Sequence, residues 1–290
     1  IGIYSSRGST SRIRQNRVQV EAVNARAIYV LENDGTAIED NTLLGVSDYL
    51  TPTTAVALYG FQNLRLTGNT VRGFYWGTNV YTGGTARVVG NTFEDNSAWA
   101  LNFGSAITTT RVTIEDNVIR GAYWGLRLDN GGGYGLEAHV QGNLFTDNII
   151  GVQLGERLDS SQVEIVGNAL CGNLAVALRN EGSSAIDAAH NWWGANDGPG
   201  PRGSGDPIEG AGAVQVVPWL QLGAVSGRGL GGQAVVTATL GDGRYSLSGR
   251  ELTFTTSAGT FLQNGAASYT IKTDRRGQAE AGLALPAGTG

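Results

Sequence analysis

The sequence predicts an all-β protein, built from stacked parallel coils and followed by a second, smaller β unit. Three observations carry that reading. Asn recurs at Asn16, Asn41, Asn69, Asn91, Asn117, Asn143, Asn168 and Asn191, at intervals of 25, 28, 22, 26, 26, 25 and 23 residues. The positions three before and two after each mark are all apolar, from Ile13 and Val18 to Ala188 and Trp193. Gly supplies 45 of 290 residues and Pro only 6. Helices tolerate that much Gly poorly, and without a Gly-X-Y period it does not describe collagen.

Each unit reads as a short strand, a turn at Asn, a second short strand, a loop and a third strand. The third strands are 27–30, 55–58, 77–80, 100–103, 125–128, 151–154 and 175–178. Apolar residues alternate along the strands, the period of a half-buried strand. A unit of this size cannot bury its own apolar face, but stacked units can, at about 4.8 Å per rung. Repeated antiparallel hairpins would let the register drift, and the apolar positions do not drift. The marks should therefore stack as a ladder of side-chain amides, with Asn itself holding a left-handed backbone at the bend. Gly2 lies 14 residues before Asn16, the same step as from Ala27 to Asn41 and from Ala55 to Asn69. The expectation is a chain that enters in mid-coil and is part of a longer polypeptide.

Composition excludes several classes. The net charge is −5, with no basic run, which argues against nucleic acid as a partner. No stretch of 18 apolar residues exists for a membrane-spanning segment. The single Cys, Cys171, rules out a disulfide framework.

The repeat resembles the right-handed parallel β-helix of the pectin-lyase-like superfamily, and within it the NosD-like group of periplasmic and secreted proteins. The ending Asn191-Trp192-Trp193-Gly194, then Asp197-Gly198-Pro199, then Pro218-Trp219-Leu220, is similar to the terminal segment of such proteins. An open last coil exposes a sheet edge and the core; Trp192 and Trp193 are expected to cap it, and Pro218 to stop further pairing. The resemblance covers 1–222. A Gly-rich linker is expected at 223–232. Strands at 234–240, 250–256, 267–273 and 277–285 then read as a β-sandwich. The order of Leu240-Gly-Asp-Gly, Phe254-Thr-Thr-Ser-Ala-Gly and Thr273-Asp-Arg-Arg-Gly resembles bacterial Ig-like domains of the invasin and intimin type. This sandwich, 233–290, is expected to be truncated, because the chain stops at Gly288-Thr289-Gly290.

The resemblance implies a superfamily that includes lyases, hydrolases and epimerases of polysaccharides. Lyases need an Arg or Lys base with Ca²⁺ on clustered acids, and hydrolases need paired carboxylates. The outward rows of the coils are read as offering no pair or trio of carboxylates on adjacent coils. Arg72, Glu94 and Arg120 form one such row, expected to be an ion ladder. Asp40, Asp95, Asp116 and Asp147 lie near turns, and turn chemistry accounts for them better than calcium. His139 and His190 stand apart and are read as structural or exposed. No catalytic residue, metal or cofactor is therefore expected. One feature remains: Tyr75-Trp76, Trp99 and Tyr123-Trp124 fall at one phase of three successive coils. They are either an exposed stripe on which sugar rings stack or an aromatic stack filling a corner of the helix. The expected role is a non-catalytic extracellular or cell-surface protein, such as a stalk, adhesin or envelope-layer component. Its partners would be further domains of the same chain, envelope proteins or glycans. A polysaccharide-active enzyme and a glycan-binding module are the alternatives.

Overall fold

A computed structural model describes residues 1–8, 10–46, 52–80, 83–104, 108–130, 133–228 and 232–286. The chain divides into two compact units, Ile1–Val217 and Pro218–Gly290.

The first unit is a parallel β-solenoid with three faces. The first face runs from Arg12–Arg14 through Ala37–Glu39, Gly84–Val89, Thr110–Glu115, Leu136–Gln141 and Val163–Val166 to Ile186–Asp187 and Val214–Gln215. The second is a sheet of seven short strands from Arg17–Val20 to Ala169–Leu170. The third runs from Ile3–Ser6 and Arg26–Asp34 through Trp76–Val80, Trp99–Gly104, Trp124–Asp129, Ile150–Leu154 and Val176–Asn180 to Gly205–Glu209. Thr54–Thr67 serves the third face with its start and the first with its end. The interior is largely apolar: Ile38, Leu43, Leu58, Phe93, Phe103, Ile114, Ile119, Leu126, Phe145 and Ile165 are fully buried.

The eight Asn marks line up. From Asn16 to Asn191 each Nδ2 donates to the Oδ1 of the next, at 2.9 to 3.1 Å, and each backbone N–H reaches the same oxygen. The inner amides also donate to the preceding coil, as Asn117 Nδ2 does to the Val88 carbonyl at 2.9 Å. The bend differs from expectation in one respect: the left-handed residue is the one before the Asn. Gln15, Asp40, Asp116 and His190 have φ of 53° to 56°, and Gly68, Gly90, Gly142 and Gly167 have φ of 64° to 70°. Gly, Asp and Asn tolerate this conformation best, which is why the position is mostly Gly or Asp. The two types also interlock axially. A Cβ on Gly142 would stand 2.3 Å from Asp116 Oδ1, and one on Gly68 would stand 2.5 Å from Asp40 Oδ1. An Asp in one coil thus fills the space that Gly leaves in the next.

Trp193 is fully buried, and Trp192 extends the second face by one bridge to Ala169. The chain then adds further rungs, Gly205–Glu209 on the third face and Val214–Gln215 on the first. The Trp pair is therefore the last rung of the second face, and rungs on the other two faces follow it.

The second unit holds a four-stranded sheet of Gln221–Arg228, Gln233–Gly241, Gln278–Ala284 and Thr260–Phe261, and a hairpin of Glu251–Thr255 with Ser268–Lys272. All these pairings are antiparallel. The sheets meet where Phe261, nearly fully buried, lies 6.2 Å from both Phe254 and Tyr269. Two expectations are corrected. The boundary falls at Val217/Pro218, not at 222. Residues 223–228 of the expected linker are strand, paired from Gln221↔Gly241 to Arg228↔Ala234; an antiparallel neighbour satisfies the backbone groups that a Gly-rich stretch leaves unshielded. The terminal Gly288-Thr289-Gly290 lies outside the described residues.

Candidate functional site

Two faces of the solenoid carry chemistry. On the third face, parallel pairing places Trp76, Trp99 and Trp124 in one register row. All three are half-buried. Trp76 and Trp99 stack with centroids 5.4 Å apart at 17°, and Trp99 and Trp124 lie 6.3 Å apart at 47°. Tyr75 and Tyr123 pack edge-on against Trp76 and Trp124, at 5.0 and 4.3 Å. Trp99 Nε1 donates to the Thr78 carbonyl at 2.8 Å. The five aromatics are thus a mutually stacked column on the outer flank, with Tyr123 40% exposed. One face of Trp76 and one of Trp99 are spent on each other, and Trp124 is tilted from Trp99, so the column is not a flat platform along its length.

Its far end differs. Trp124 lines a depression of about 510 Å³ with Arg127, Asp129, Gln153, Glu156, Arg157, Arg179 and Glu181. Arg127 is ion-paired with Asp129, and its guanidinium lies 6.0 Å from the Trp99 ring. Arg179 pairs with Glu209 at 2.7 Å. An indole thus stands beside paired donors and acceptors, with three Arg against three carboxylates in the lining.

On the first face, a shallow trough of about 770 Å³ follows the outward row Arg65, Arg87, Thr113, His139, Glu164 and Asp187, in register rung by rung. Ion pairs step along it, Arg87–Glu115 at 2.6 Å and Arg111–Glu137 at 2.7 Å, and His139 Nδ1 lies within hydrogen-bond distance of Glu164 at 2.8 Å. At one corner Asp159 accepts from the Ser161 and Ser184 hydroxyls at 2.6 and 2.9 Å and from the Ser161 N–H. These bonds, the Ser161 hydroxyl foremost, hold its carboxyl below the ordinary Asp range.

A family model described as a right-handed β-helix region matches residues 1–170. The chain belongs to the right-handed β-helix family. Neither the curated proteins nor the solved structures yield a significant match.

The β-helix brings together some predicted residues and separates others. The reading that no carboxylates adjoin on neighbouring coils is corrected: Glu164 and Asp187 are direct register partners, with His139 next in the row. In-register pairing makes neighbours of any residues that share a phase, and these two share it. The ladder Arg72, Glu94, Arg120 is only partly formed. Arg120 meets Glu94 at 2.5 Å, whereas Arg72 turns to Asp95 at 3.1 Å. Asp40, Asp95, Asp116 and Asp147 all hold left-handed turn positions, with φ of 53° to 57°, and His190 does the same. His139 contacts Glu164 and Gln141.

A second amide array escaped the sequence reading. Asn96, Asn148 and Asn173 are buried at the corner between the second and third faces. Asn148 Nδ2 donates to Asn173 Oδ1 at 3.1 Å, and Asp206 closes the row by accepting from the Asn173 backbone N–H at 2.6 Å. The available signal was the recurrence of Asp95-Asn96, Asp147-Asn148 and Gly172-Asn173 five residues after three of the marks.

Proposed function

We propose that this β-helix is a non-catalytic, extracellular or cell-surface scaffold that binds a glycan at the Trp124 end of its tryptophan column. The observation that carries the reading is the composition of that depression. An indole face suits the apolar face of a pyranose. Arg127, Gln153, Arg157 and Arg179, beside Asp129, Glu156 and Glu181, offer the planar donors and acceptors that sugar hydroxyls need. The charges in the lining balance, which favours hydroxyl-rich sugars over strongly anionic ones. The second unit, with two antiparallel sheets facing across Phe261, is read as an Ig-like module that spaces the β-helix from its anchor. The NosD-like assignment rests on the Asn191-Trp192-Trp193-Gly194 ending. Titration with neutral oligosaccharides, followed by tryptophan fluorescence, tests the proposal. Saturable quenching that Trp124→Ala and Gln153→Ala abolish supports it; no response to any glycan class contradicts it.

One observation favours a second reading, a polysaccharide-active enzyme: Glu164 and Asp187 adjoin beside His139 in the first-face trough. Incubation with a uronic-acid polymer, read as absorbance of unsaturated product and as new reducing ends, decides that reading directly.

A further inference from the structure

We infer that two copies of this chain associate through the first face, with their solenoid axes antiparallel. The argument starts from the order of charge in one row. Arg65, Arg87, Thr113, His139, Glu164 and Asp187 are consecutive register partners, a six-coil stretch of a column that continues to Ala37 and Arg12 on one side and to Gln215 on the other; the stretch is basic at one end and acidic at the other, with its midpoint between Thr113 and His139. A two-fold axis through that midpoint and parallel to the strands turns the row onto itself in reverse. Arg65 then faces Asp187 of the second copy, Arg87 faces Glu164, and Thr113 faces His139.

The neighbouring columns obey the same axis. Arg111 and Glu137 lie on the strands of Thr113 and His139 and are register partners, so Arg111 of one copy faces Glu137 of the other. On the other side, Thr67, Val89, Glu115 and Gln141 occupy the corresponding outward phase of four coils, while Val166 and Ala189 at that place are buried. There the axis sets Glu115 against Gln141 and opposes no like charges. One symmetry operation therefore pairs opposite charges in two columns at once and opposes no like charges in the third, the self-complementarity that an isologous interface requires.

Within one copy the first and last residues of this six-coil stretch lack ion-pair partners among the described residues. Arg87 and Arg111 have acid partners on the next coil. Arg65 and Asp187, both exposed, make no ion pair among the described residues. They are five rungs apart, about 24 Å, too far to meet in one molecule. The second copy brings them together twice. Six rungs of strands about five residues long give a face of roughly 500 Å² per copy, the size of a weak, reversible contact. Its charge content makes it sensitive to salt.

Sedimentation velocity over a concentration series, at low and high salt, tests this with three variants. Arg65→Asp and Asp187→Arg each oppose like charges across the axis; the double exchange restores opposite charges in reversed order. The expected result is a monomer–dimer equilibrium in the unaltered protein that weakens with salt. Each single exchange should weaken it about tenfold or more, and the double exchange should recover most of it. Circular dichroism and melting curves check the fold of each variant, and the milder Arg65→Gln and Asp187→Asn serve if a reversal unfolds the chain. A protein that stays monomeric at sub-millimolar concentration and low salt overturns the inference. So does a dimer that ignores both single exchanges, or one that the double exchange fails to restore.

Discussion

Asn117 and Asn143 are 26 residues apart in sequence, yet the Nδ2 of the first donates to the Oδ1 of the second across 2.9 Å. That bond repeats at every coil from Asn16 to Asn191, and the stack is buried from Asn41 onward. Each inner amide satisfies backbone groups that water cannot reach. Removing one orphans several partners at once.

Asn117→Ala should accordingly destabilise the protein by about 3 kcal/mol, because the buried Asn91 N–H and Val88 carbonyl lose their partner. Asn16→Ala, at the half-buried end of the ladder, should cost less than about 1 kcal/mol. Urea unfolding of both variants checks the gradient; equal losses would mean the ladder is not acting as a buried array.

The residue before each mark carries a separate cost. Asp116 holds φ 54°, so Asp116→Ile should destabilise by about 1–2 kcal/mol from left-handed strain, whereas Asp116→Gly should be nearly neutral. Gly142→Ala should also be harmful, because its new methyl would meet Asp116 Oδ1. The double variant Asp116→Gly, Gly142→Ala should recover the part of the loss due to that collision and leave the part due to the positive φ of residue 142. Thermal melts of the four variants measure it.

The tryptophan column predicts a spectroscopic signature. Trp99 contacts Trp76 and Trp124 and donates to the Thr78 carbonyl. Trp99→Ala should cost about 2 kcal/mol, below the value for a fully buried ring. It should also remove the coupled indole signal from the near-ultraviolet circular dichroism.

Acid stability should respond to Asp159. Its carboxylate is held below its ordinary range by Ser161 and Ser184. The stabilisation is therefore fully present above the unfolded value, near pH 4, and is lost as the pH falls through the lower folded value. Asp159→Asn should flatten the fall of the unfolding midpoint below about pH 4, and Ser184→Ala should flatten it in part. Denaturation at a series of acid pH values reads the slope.

Much of the fold was legible because its repeat is written in one residue type. Asn with apolar neighbours at −3 and +2 fixed eight rungs, whereas Trp192 and Trp193, expected as an end cap, form the last rung of the second face with further rungs after them on the other two. What escaped depended on register. The second amide row shows only at Asn96, Asn148 and Asn173, because Phe74 and Ala122 stand at its place in other coils. Glu164 and Asp187 are 23 residues apart and become neighbours only once strands pair in phase. The bend residue was misplaced by one because both Asn and the residue before it suit a left-handed turn. The Gly-rich 223–228 looked like a linker because strand pairing there depends on a partner further along the chain.

Calorimetric titration with a glycan series, followed by recovery and sizing of the ligand, probes the account at its centre. Saturable heat that disappears in Trp124→Ala, with the glycan returned at its original length, is the predicted result. Heat unchanged in that variant, or a shortened glycan, would contradict it.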